Sequence, residues 1–276
     1  MQSEMDLGDS QSRLRVVRPA RPAAGYIGGK KQLAERLSRL IDQTPHDLYA
    51  EPFVGMGGVF LRRVRAPDVE VINDRSQDVA NFFRILQRHY EPFFDMLKWR
   101  LTSRAEFDRL LSQDPTTLTD LERAARFLYL QRLSFGGKVS GRTFGYSLTG
   151  PARFDTTKLG VLLEAIHDRL AGVTIECLDW RDFIARWDRP GALFFCDPPY
   201  FGTERYYGAG LFSQASHAEM AEALGGLKGN FILTINDLPQ TREIYAAFRL
   251  ESVDLTYQAG GADEAKAVKE LIVSGP

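Results

Sequence analysis

The fold class can be inferred from one segment, Ala192-Leu193-Phe194-Phe195-Cys196-Asp197-Pro198-Pro199-Tyr200. Its five apolar residues predict a buried strand. The strand ends at the prolines, because proline has no N–H for the next ladder bond and restricts the residue before it. Asp197 therefore lies at the carboxyl end of a strand. Ligands bind at that edge of open α/β sheets, so a carboxylate, a carbonyl and an aromatic ring are expected at a functional rim.

These groups suit a planar ligand that carries an NH2 group. Asp197 and the carbonyl of Pro198 are acceptors, and Tyr200 offers a flat ring with a polar tip. The exocyclic amine of a nucleobase fits this description. Two acceptors on its hydrogens would favour the pyramidal, nucleophilic form that attacks an electrophilic methyl group. The alternative for the tetrapeptide alone is a turn with a surface acid, because proline-rich turns commonly follow strands.

Composition limits the classes of protein to consider. A chain of 276 residues, 44% apolar and 26% charged, can form one large domain or a domain with an insertion. No apolar run approaches the roughly 20 residues needed to span a bilayer, and the polar, acidic start is unlike a signal peptide. We therefore expect a cytoplasmic protein. Cys177 and Cys196 are predicted to be buried thiols, and the four histidines show no ligand spacing, so no metal is expected.

Charge is distributed unevenly along the chain. The net charge of −1 argues against indiscriminate binding of nucleic acid. Between residues 123 and 158, however, seven basic residues stand against one acidic residue. This local excess is typical either of a surface that contacts phosphates or of a solvated helix face.

Two glycine-bearing segments precede predicted helices in the first part of the chain. Residues 1–20 lack apolar periodicity and predict a flexible N-terminal arm. Tyr26-Ile27-Gly28-Gly29-Lys30 follows, where paired glycines leave backbone N–H groups accessible for an anion or a cofactor. A plain helix-start turn is an equally good interpretation. The second segment, residues 52–58, follows a predicted strand that ends at Glu51 and precedes a helix predicted over 59–64.

An acid at the end of the second predicted strand, residues 69–74, points to the kind of cofactor. Asp74 at this position can accept hydrogen bonds from ribose hydroxyls, as in other α/β folds with a glycine-rich turn after the first strand. The turn lacks the Gly-Lys-Ser/Thr of a P-loop and the full dinucleotide pattern. The spacing therefore indicates an adenosine-containing cofactor.

The middle of the chain, residues 76–170, is predicted to be helical, with segments over 78–89, 91–100, 104–111 and 120–133. A long loop over 135–154 interleaves basic and aromatic residues, which suits contact with phosphates and bases. Alternation of strands and helices then resumes, with strands over 173–178, 192–196, 231–235, 250–257 and 270–273. The order predicts a doubly wound α/β domain interrupted by a helical insertion.

Together these motifs resemble the Dam-like, alpha-class DNA adenine methyltransferases, which use S-adenosylmethionine. The shared order is Gly-Gly-Lys at 28–30, Phe-x-Gly-x-Gly at 53–57, an insertion, and Asp-Pro-Pro-Tyr at 197–200. The resemblance implies a Rossmann-like methyltransferase sheet with an inserted helical target-recognition domain. It divides the chain into an arm over 1–20, a catalytic S-adenosylmethionine-binding domain over 21–82 and 171–276, and a DNA-binding insertion over 83–170.

The resemblance also implies roles for individual residues. The catalytic set is Asp197, Pro198, Pro199 and Tyr200. The cofactor set is Tyr26, Gly28, Gly29, Lys30, Glu51, Phe53, Gly55, Gly57, Asp74, Asp182, Phe183 and Asp197, with Asp74 on the ribose and Asp182 and Phe183 on the adenine. Core packing is the alternative for Phe53 and Phe183. The DNA-binding set is Arg126, Arg132, Lys138, Arg142 and Tyr146.

The expected reaction is methylation of the N6 amine of an adenine flipped out of double-stranded DNA. No Pro-Cys nucleophile occurs, which argues against cytosine C5 chemistry. Open alternatives are an RNA or other amino-methyltransferase, and an inactive DNA-binding homologue. We expect a monomer or weak dimer with no membrane and no metal partner. The loop Gly141-Arg142-Thr143-Phe144-Gly145-Tyr146-Ser147 differs from the usual Dam-like hairpin and is more similar to adenine methylases of phages and prophages, so a GATC site is not assumed.

Overall fold

A seven-stranded sheet forms the centre of the protein. The computed structural model describes residues 14–146, 150–204, 212–258 and 265–275. The strands are β1 (Leu48–Glu51), β2 (Val69–Asn73), β3 (Thr174–Glu176), β4 (Ala192–Cys196), β5 (Asn230–Asn236), β6 (Arg249–Gln258) and β7 (Ala265–Ser274). Their order across the sheet is β3-β2-β1-β4-β5-β7-β6. The first five are parallel, and β7 runs antiparallel to both of its neighbours. The predicted doubly wound α/β fold is confirmed.

The direction of strand order reverses between β1 and β4. These two strands pair in parallel, with Leu48 opposite Ala192 and Ala50 opposite Phe194. Every residue of both strands is buried, as expected for parallel strands covered on both faces. Their carboxyl ends, at Glu51 and Asp197, therefore meet at the topological switch point, where open α/β sheets bind ligands.

Nine helices surround the sheet within the described residues. They are α1 (Ala34–Gln43), α2 (Gln77–Arg88), α3 (Tyr90–Leu97), α4 (Arg104–Ser112), α5 (Asp120–Leu133), α6 (Thr156–Arg169), α7 (Trp180–Trp187), α8 (Ala215–Gly225) and α9 (Pro239–Ile244). The helix predicted over 59–64 is wrong, because only a short 3-10 turn forms at Phe60–Arg62. Helix α6 is absent from the sequence prediction. None of these helices has the length and apolarity that a bilayer crossing requires.

The predicted insertion packs directly on the sheet. Tyr49 and Ile72 of the strands share one apolar core with Phe82 of α2, Phe93 of α3 and Phe127 of α5. The predicted boundary between residues 82 and 83 falls inside the continuous helix α2. Within the described residues, the apolar core runs without a break across the predicted boundary between the catalytic domain and the insertion. The division into these two parts stays a prediction.

The beginning of the described chain is tied to the rest of the fold. Arg15–Val16 forms a two-stranded antiparallel ribbon with Arg65–Ala66. Ala20 is buried, and its N–H donates to the carbonyl of Leu61 at 2.7 Å. The flexible arm predicted over 1–20 is therefore wrong for residues 14–20, because backbone hydrogen bonds hold them. Residues 1–13 lie outside the described part of the chain.

A cluster of fully buried charges joins the end of α6 to the sheet. Glu70 of β2 accepts two hydrogen bonds from the guanidinium of Arg169, both at 2.7 Å. Arg63 approaches the same carboxylate at 3.3 Å and lies 4.0 Å over the ring of Tyr49. A buried carboxylate needs such partners, because an unpaired charge in the interior costs several kcal/mol. The cluster therefore holds the last helix of the predicted insertion against β2.

Candidate active site

A cavity of about 1670 Å³ opens at the carboxyl ends of β1, β2 and β4. One wall is the segment 21–31, and a second is formed by the residues that follow the three strands. The third comes from the predicted insertion, at residues 131–137 and 151–153. The cavity is thus built jointly by the glycine-bearing segments and by the end of α5.

Asp197 is held in this cavity by a cation and a hydroxyl. The ammonium of Lys30 lies 2.7 Å from Oδ1, and Thr234 Oγ1 donates to the same oxygen at 2.9 Å. Lys30 is only 3% exposed, and its ammonium also donates to the hydroxyl of Tyr200 at 2.8 Å. Burial raises the pKa of Asp197, and the Lys30 charge opposes that rise. Both contacts are to Oδ1, and no described residue donates a hydrogen bond to Oδ2.

The backbone after Tyr200 is fixed by one side chain. Asn236, at the end of β5, accepts a hydrogen bond from the N–H of Phe201 and donates one to its carbonyl, each at 3.0 Å. A second acid, Glu270 of β7, lies 4.0 Å from the ammonium of Lys30. The Asp-Pro-Pro-Tyr turn is therefore anchored at both its acidic and its aromatic end.

Glu51 brings a second carboxyl to the cavity. It is 2% exposed, and its Oε2 accepts a hydrogen bond from the hydroxyl of Tyr49 at 2.7 Å. Burial raises the pKa of Glu51 to about 8, and the nearby charge of Asp197 adds to the effect. This side chain can bind a cationic group, because a positive charge would favour its ionised form.

The glycine-rich turn is held by Asp74. The N–H of Gly55 donates to Oδ2 at 2.9 Å and that of Ser76 to Oδ1 at 2.8 Å. Burial raises the pKa of Asp74 to about 6, which these two bonds oppose. Gly55 has φ of +50°, and a Cβ there would lie 3.0 Å from the ring of Tyr26. Glycine is needed here because Tyr26 packs directly on the backbone of the turn.

Asn73 is a positioning residue that the sequence prediction does not include. Its amide donates to the carbonyl of Pro52 at 2.9 Å and to that of Leu178 at 3.1 Å. Its Oδ1 accepts from the N–H of Leu178 at 2.8 Å. The side chain thus joins the segments that follow β1 and β3. A buried asparagine at the end of a strand, directly before Asp74, is the signal that could have identified it.

Most of the predicted cofactor residues line the cavity. These are Tyr26, Gly28, Gly29, Lys30, Glu51, Phe53, Gly55, Asp74 and Asp197, together with Pro199 of the catalytic set. Pro198 is buried, and Tyr200 is half-buried against Lys30 outside the lining. Gly57 lies beneath the turn, where a Cβ would meet the side chain of Leu61 at 2.8 Å.

Two residues predicted to hold the adenine of the cofactor lie elsewhere. Phe183 is completely buried in the core on the opposite face of the sheet from α5, beside Trp180. Asp182 is exposed on the surface of α7. Neither lines the cavity. The complete burial of Phe183 favours the core alternative, and its role toward the cofactor stays a prediction.

Two of the five predicted DNA-binding residues turn their donors inward. Arg126 is 6% exposed and donates from Nε to the carbonyl of Leu110, which caps the end of α4. Arg132 is half-buried and donates to the carbonyls of Ala23 and Arg153. These contacts do not fit the predicted grip on phosphates, because the guanidinium groups already serve backbone carbonyls.

The other three predicted DNA-binding residues lie in the loop after α5. Lys138 is exposed, and Tyr146 is 62% exposed, with the guanidinium of Arg104 5.8 Å from its ring centroid. Arg142 is half-buried and donates to the side chain of Gln131 at 2.9 Å and to the carbonyl of Lys138 at 3.2 Å. Ser147, at the end of the quoted loop, lies outside the described residues. The DNA-binding role of this loop stays a prediction.

The cysteines are both free. Cys196 is buried as predicted, whereas Cys177 is half-buried, with its sulfur 3.9 Å from the carbonyl oxygen of Arg75. Across the described ranges, no group of three or more His, Cys, Asp or Glu residues is arranged to hold a metal ion.

Comparison with known families decides between the enzyme classes left open by the site. Residues 26–259 match the family described as D12 class N6 adenine-specific DNA methyltransferase. The chain belongs to this family. The match covers the Gly-Gly-Lys segment, the glycine-rich turn, the helical region and the Asp-Pro-Pro-Tyr turn. It confirms the resemblance to DNA adenine methyltransferases predicted from the motifs.

Several curated relatives are similar over much of this D12-class chain. Type II methyltransferase M1.LlaDCHI of Lactococcus lactis subsp. cremoris is 26% identical and is matched over 92% of this chain and 95% of its own length. The DNA N-6-adenine-methyltransferase of Escherichia phage P1 is 26% identical over 88% of this chain, which spans 34% of that protein. The DNA adenine methylase of Serratia marcescens is 27% identical over 63% of this chain and 65% of its own.

Proposed function

We propose that this protein transfers a methyl group from S-adenosylmethionine to the N6 amine of adenine in double-stranded DNA. The observation that carries the proposal is the position of Asp197. Its Oδ1 is held by Lys30 and Thr234, while Oδ2 remains for a substrate amine at the switch point of the sheet. Membership of the D12 class supports the choice of adenine in DNA.

The chemistry of the cavity lining supports S-adenosylmethionine as the methyl donor. Glu51 would pair with the amino group of the methionine part, and Asp74 would accept hydrogen bonds from the ribose hydroxyls. Gly55 leaves room that a Cβ would fill beneath the ring of Tyr26. When bound, S-adenosylmethionine supplies an electrophilic methyl group carried on a sulfonium.

Asp197 and the Pro198 carbonyl would orient the amine of the target base. The amine lone pair is delocalised into the purine ring, and two acceptors on its hydrogens localise that pair on nitrogen. Lys30 favours the ionised form of Asp197 by placing a cation 2.7 Å from Oδ1, which opposes the effect of burial on its pKa. The carboxylate can therefore accept from the N6 amine through Oδ2 as the nitrogen becomes positively charged.

The adenine must leave the DNA helix to reach Asp197, because a stacked, paired amine cannot meet a carboxylate inside a protein cavity. Flipping a base costs a few kcal/mol. Stacking on the half-buried ring of Tyr200 would return about 1–3 kcal/mol on the scale of base–aromatic contacts. Lys138, Arg142 and Tyr146 are the proposed contacts to the rest of the duplex.

Transfer of an isotopically labelled methyl group tests the proposal. Purified protein is incubated with labelled S-adenosylmethionine and either duplex DNA or RNA of the same sequence, and the nucleosides are separated by mass spectrometry. Labelled N6-methyladenine from DNA is the expected product. Label in RNA alone would favour an RNA amino-methyltransferase. Binding of DNA with no label in any nucleoside would favour an inactive DNA-binding homologue.

A further inference from the structure

Gln131 occupies the junction between two walls of the cavity. It lies near the end of α5 and is 1% exposed. Its Nε2 donates to the carbonyl of Gly25 at 2.9 Å and to that of Gly137 at 2.8 Å. Its Oε1 accepts a hydrogen bond from the guanidinium of Arg142 at 2.9 Å. One buried amide therefore hydrogen-bonds to two segments: its donor end to both the segment before Tyr26 and the loop after α5, and its acceptor end to that loop again.

The segments that meet at Gln131 belong to different parts of the predicted machinery. Gly25 precedes Tyr26, whose ring covers the glycine-rich turn at Gly55. Gly137 and Arg142 belong to the loop that carries the proposed DNA contacts. A movement of either segment therefore acts on a side chain that is also hydrogen-bonded to the other.

The two segments also touch directly. The N–H of Ile27 donates to the carbonyl of Gly137 at 3.2 Å. Gly137 has φ of +67°, and a Cβ there would lie 2.9 Å from the carbonyl carbon of Gly25. The backbones are thus in contact at a point where only glycine fits.

The next residue of α5 adds a parallel link. Arg132 donates to the carbonyl of Ala23 in the first segment and to that of Arg153 after the loop. The end of α5 thus fixes both walls of the cavity through two successive side chains. These contacts give Arg132 an internal partner in each wall, whereas its predicted contact with DNA stays a prediction.

We propose that Gln131 is a positioning residue that couples DNA binding at the loop over 135–146 to methyl-donor binding in the cavity. The proposal rests on the proposed function, because it requires both ligands. A ligand on one segment favours the arrangement in which all three hydrogen bonds of Gln131 are formed, and this arrangement also suits the other ligand. By linkage, each ligand must then raise the affinity for the other by the same factor.

The experiment measures that factor by calorimetry. The dissociation constant of S-adenosylhomocysteine is determined with and without a duplex that the wild-type protein methylates, and the ratio of the two values is compared between variants. We expect a ratio of about fivefold or more for wild type, at the lower end of known allosteric couplings. We expect a ratio near one for Gln131→Leu, which removes the donor and the acceptor together.

Gln87 provides the matched control. Its Nε2 also donates to two backbone carbonyls, those of Leu170 and Val173, each at 2.8 Å. It does not line the cavity. Gln87→Leu therefore loses the same number of donated hydrogen bonds and tests for a general loss of stability. We expect it to keep the wild-type ratio.

A second pair of variants tests the backbone contact without altering Gln131. Gly136 and Gly137 both have φ of +67°, but a Cβ at Gly136 meets nothing within 4 Å. Both alanine substitutions carry the same backbone strain, and only Gly137→Ala pushes against Gly25. We expect the ratio to fall in Gly137→Ala and to persist in Gly136→Ala.

The outcomes separate this proposal from the proposed function. A wild-type ratio in Gln131→Leu, or equal losses in Gly136→Ala and Gly137→Ala, would overturn the coupling while methyl transfer stands. A wild-type ratio of one would overturn it as well. Failure of the wild-type protein to bind S-adenosylhomocysteine or to methylate DNA would instead overturn the proposed function, and the coupling with it.

Discussion

Replacement of Glu51 by glutamine is expected to remove a large pH dependence from the free energy of unfolding. The buried carboxyl has a pKa of about 8 in the folded protein, against its usual value of 4.5. A group whose pKa is raised on folding makes its full contribution to stability when the pH is below its pKa in the unfolded chain. That contribution is lost as the pH rises from about 4.5 through about 8.

The structure also sets the size of this effect. At about 1.4 kcal/mol for each pH unit, a rise from 4.5 to about 8 corresponds to about 5 kcal/mol as an upper limit. Glu51→Gln keeps an oxygen that can accept the hydrogen bond from Tyr49 but cannot ionise. The variant should therefore gain stability relative to wild type as the pH rises toward 8.

Urea denaturation of both proteins at a series of pH values between 5 and 9 measures this difference. Other titrating groups, such as Asp74 with its pKa of about 6, are present in both proteins, so their contributions largely cancel in the difference between the two free energies of unfolding. The affinity for S-adenosylmethionine should fall in Glu51→Gln even where its stability rises, because the variant loses the charge proposed to pair with the amino group of the donor. A stability difference that stays constant across the pH range would refute this account of Glu51.

Four further predictions concern the reaction, the donor and the DNA. Asp197→Ala should abolish methyl transfer with an unchanged circular dichroism spectrum, while Asp197→Asn keeps an acceptor and retains partial transfer; wild-type turnover in Asp197→Ala would exclude the mechanism. Asp74→Ala should weaken donor binding by about 1–3 kcal/mol per lost charged hydrogen bond, and calorimetry showing unchanged affinity would limit Asp74 to a structural role. Lys138→Ala should lower the salt dependence of DNA binding by about one unit of slope, whereas Arg126→Met should leave that slope unchanged and lower stability. Tyr146→Ala should change the methylated sequence in methylome sequencing, and an unaltered motif would mean that the base is read elsewhere.

The sheet and the centre of the site could be predicted because their signals are local. An apolar run that ends in an acid and two prolines identifies both the strand and its carboxyl end, and β4 ends at Cys196 as expected. Thr119 and Glu122 form a capping box at the start of α5, and their spacing of three residues is a local sequence signature of a helix start. Residue type and short spacing are sufficient in such cases.

Side-chain direction is what the sequence could not provide. Charge alone made Arg126 and Arg132 candidates for DNA contact, but their positions on α5 point them at carbonyls of neighbouring segments. Phe183 lies one turn into α7, and the packing of that helix on the sheet decides which way its ring points. Gln131 and Asn73 belong to no sequence motif. Their roles depend on hydrogen-bond partners in other segments, such as Gly25 for Gln131 and Leu178 for Asn73.

The buried cluster at Glu70 limits how this enzyme can be rearranged by recombination. Exchange of residues 83–170 for the corresponding segment of a relative with another target would remove Arg169 and leave Glu70 in the interior with Arg63 as its remaining buried partner. Loss of one member of a buried ion pair typically costs about 3–5 kcal/mol. A chimera with new DNA specificity would therefore need its second crossover placed before α6, so that Arg169 is kept, or a donor segment that supplies an arginine at the same place.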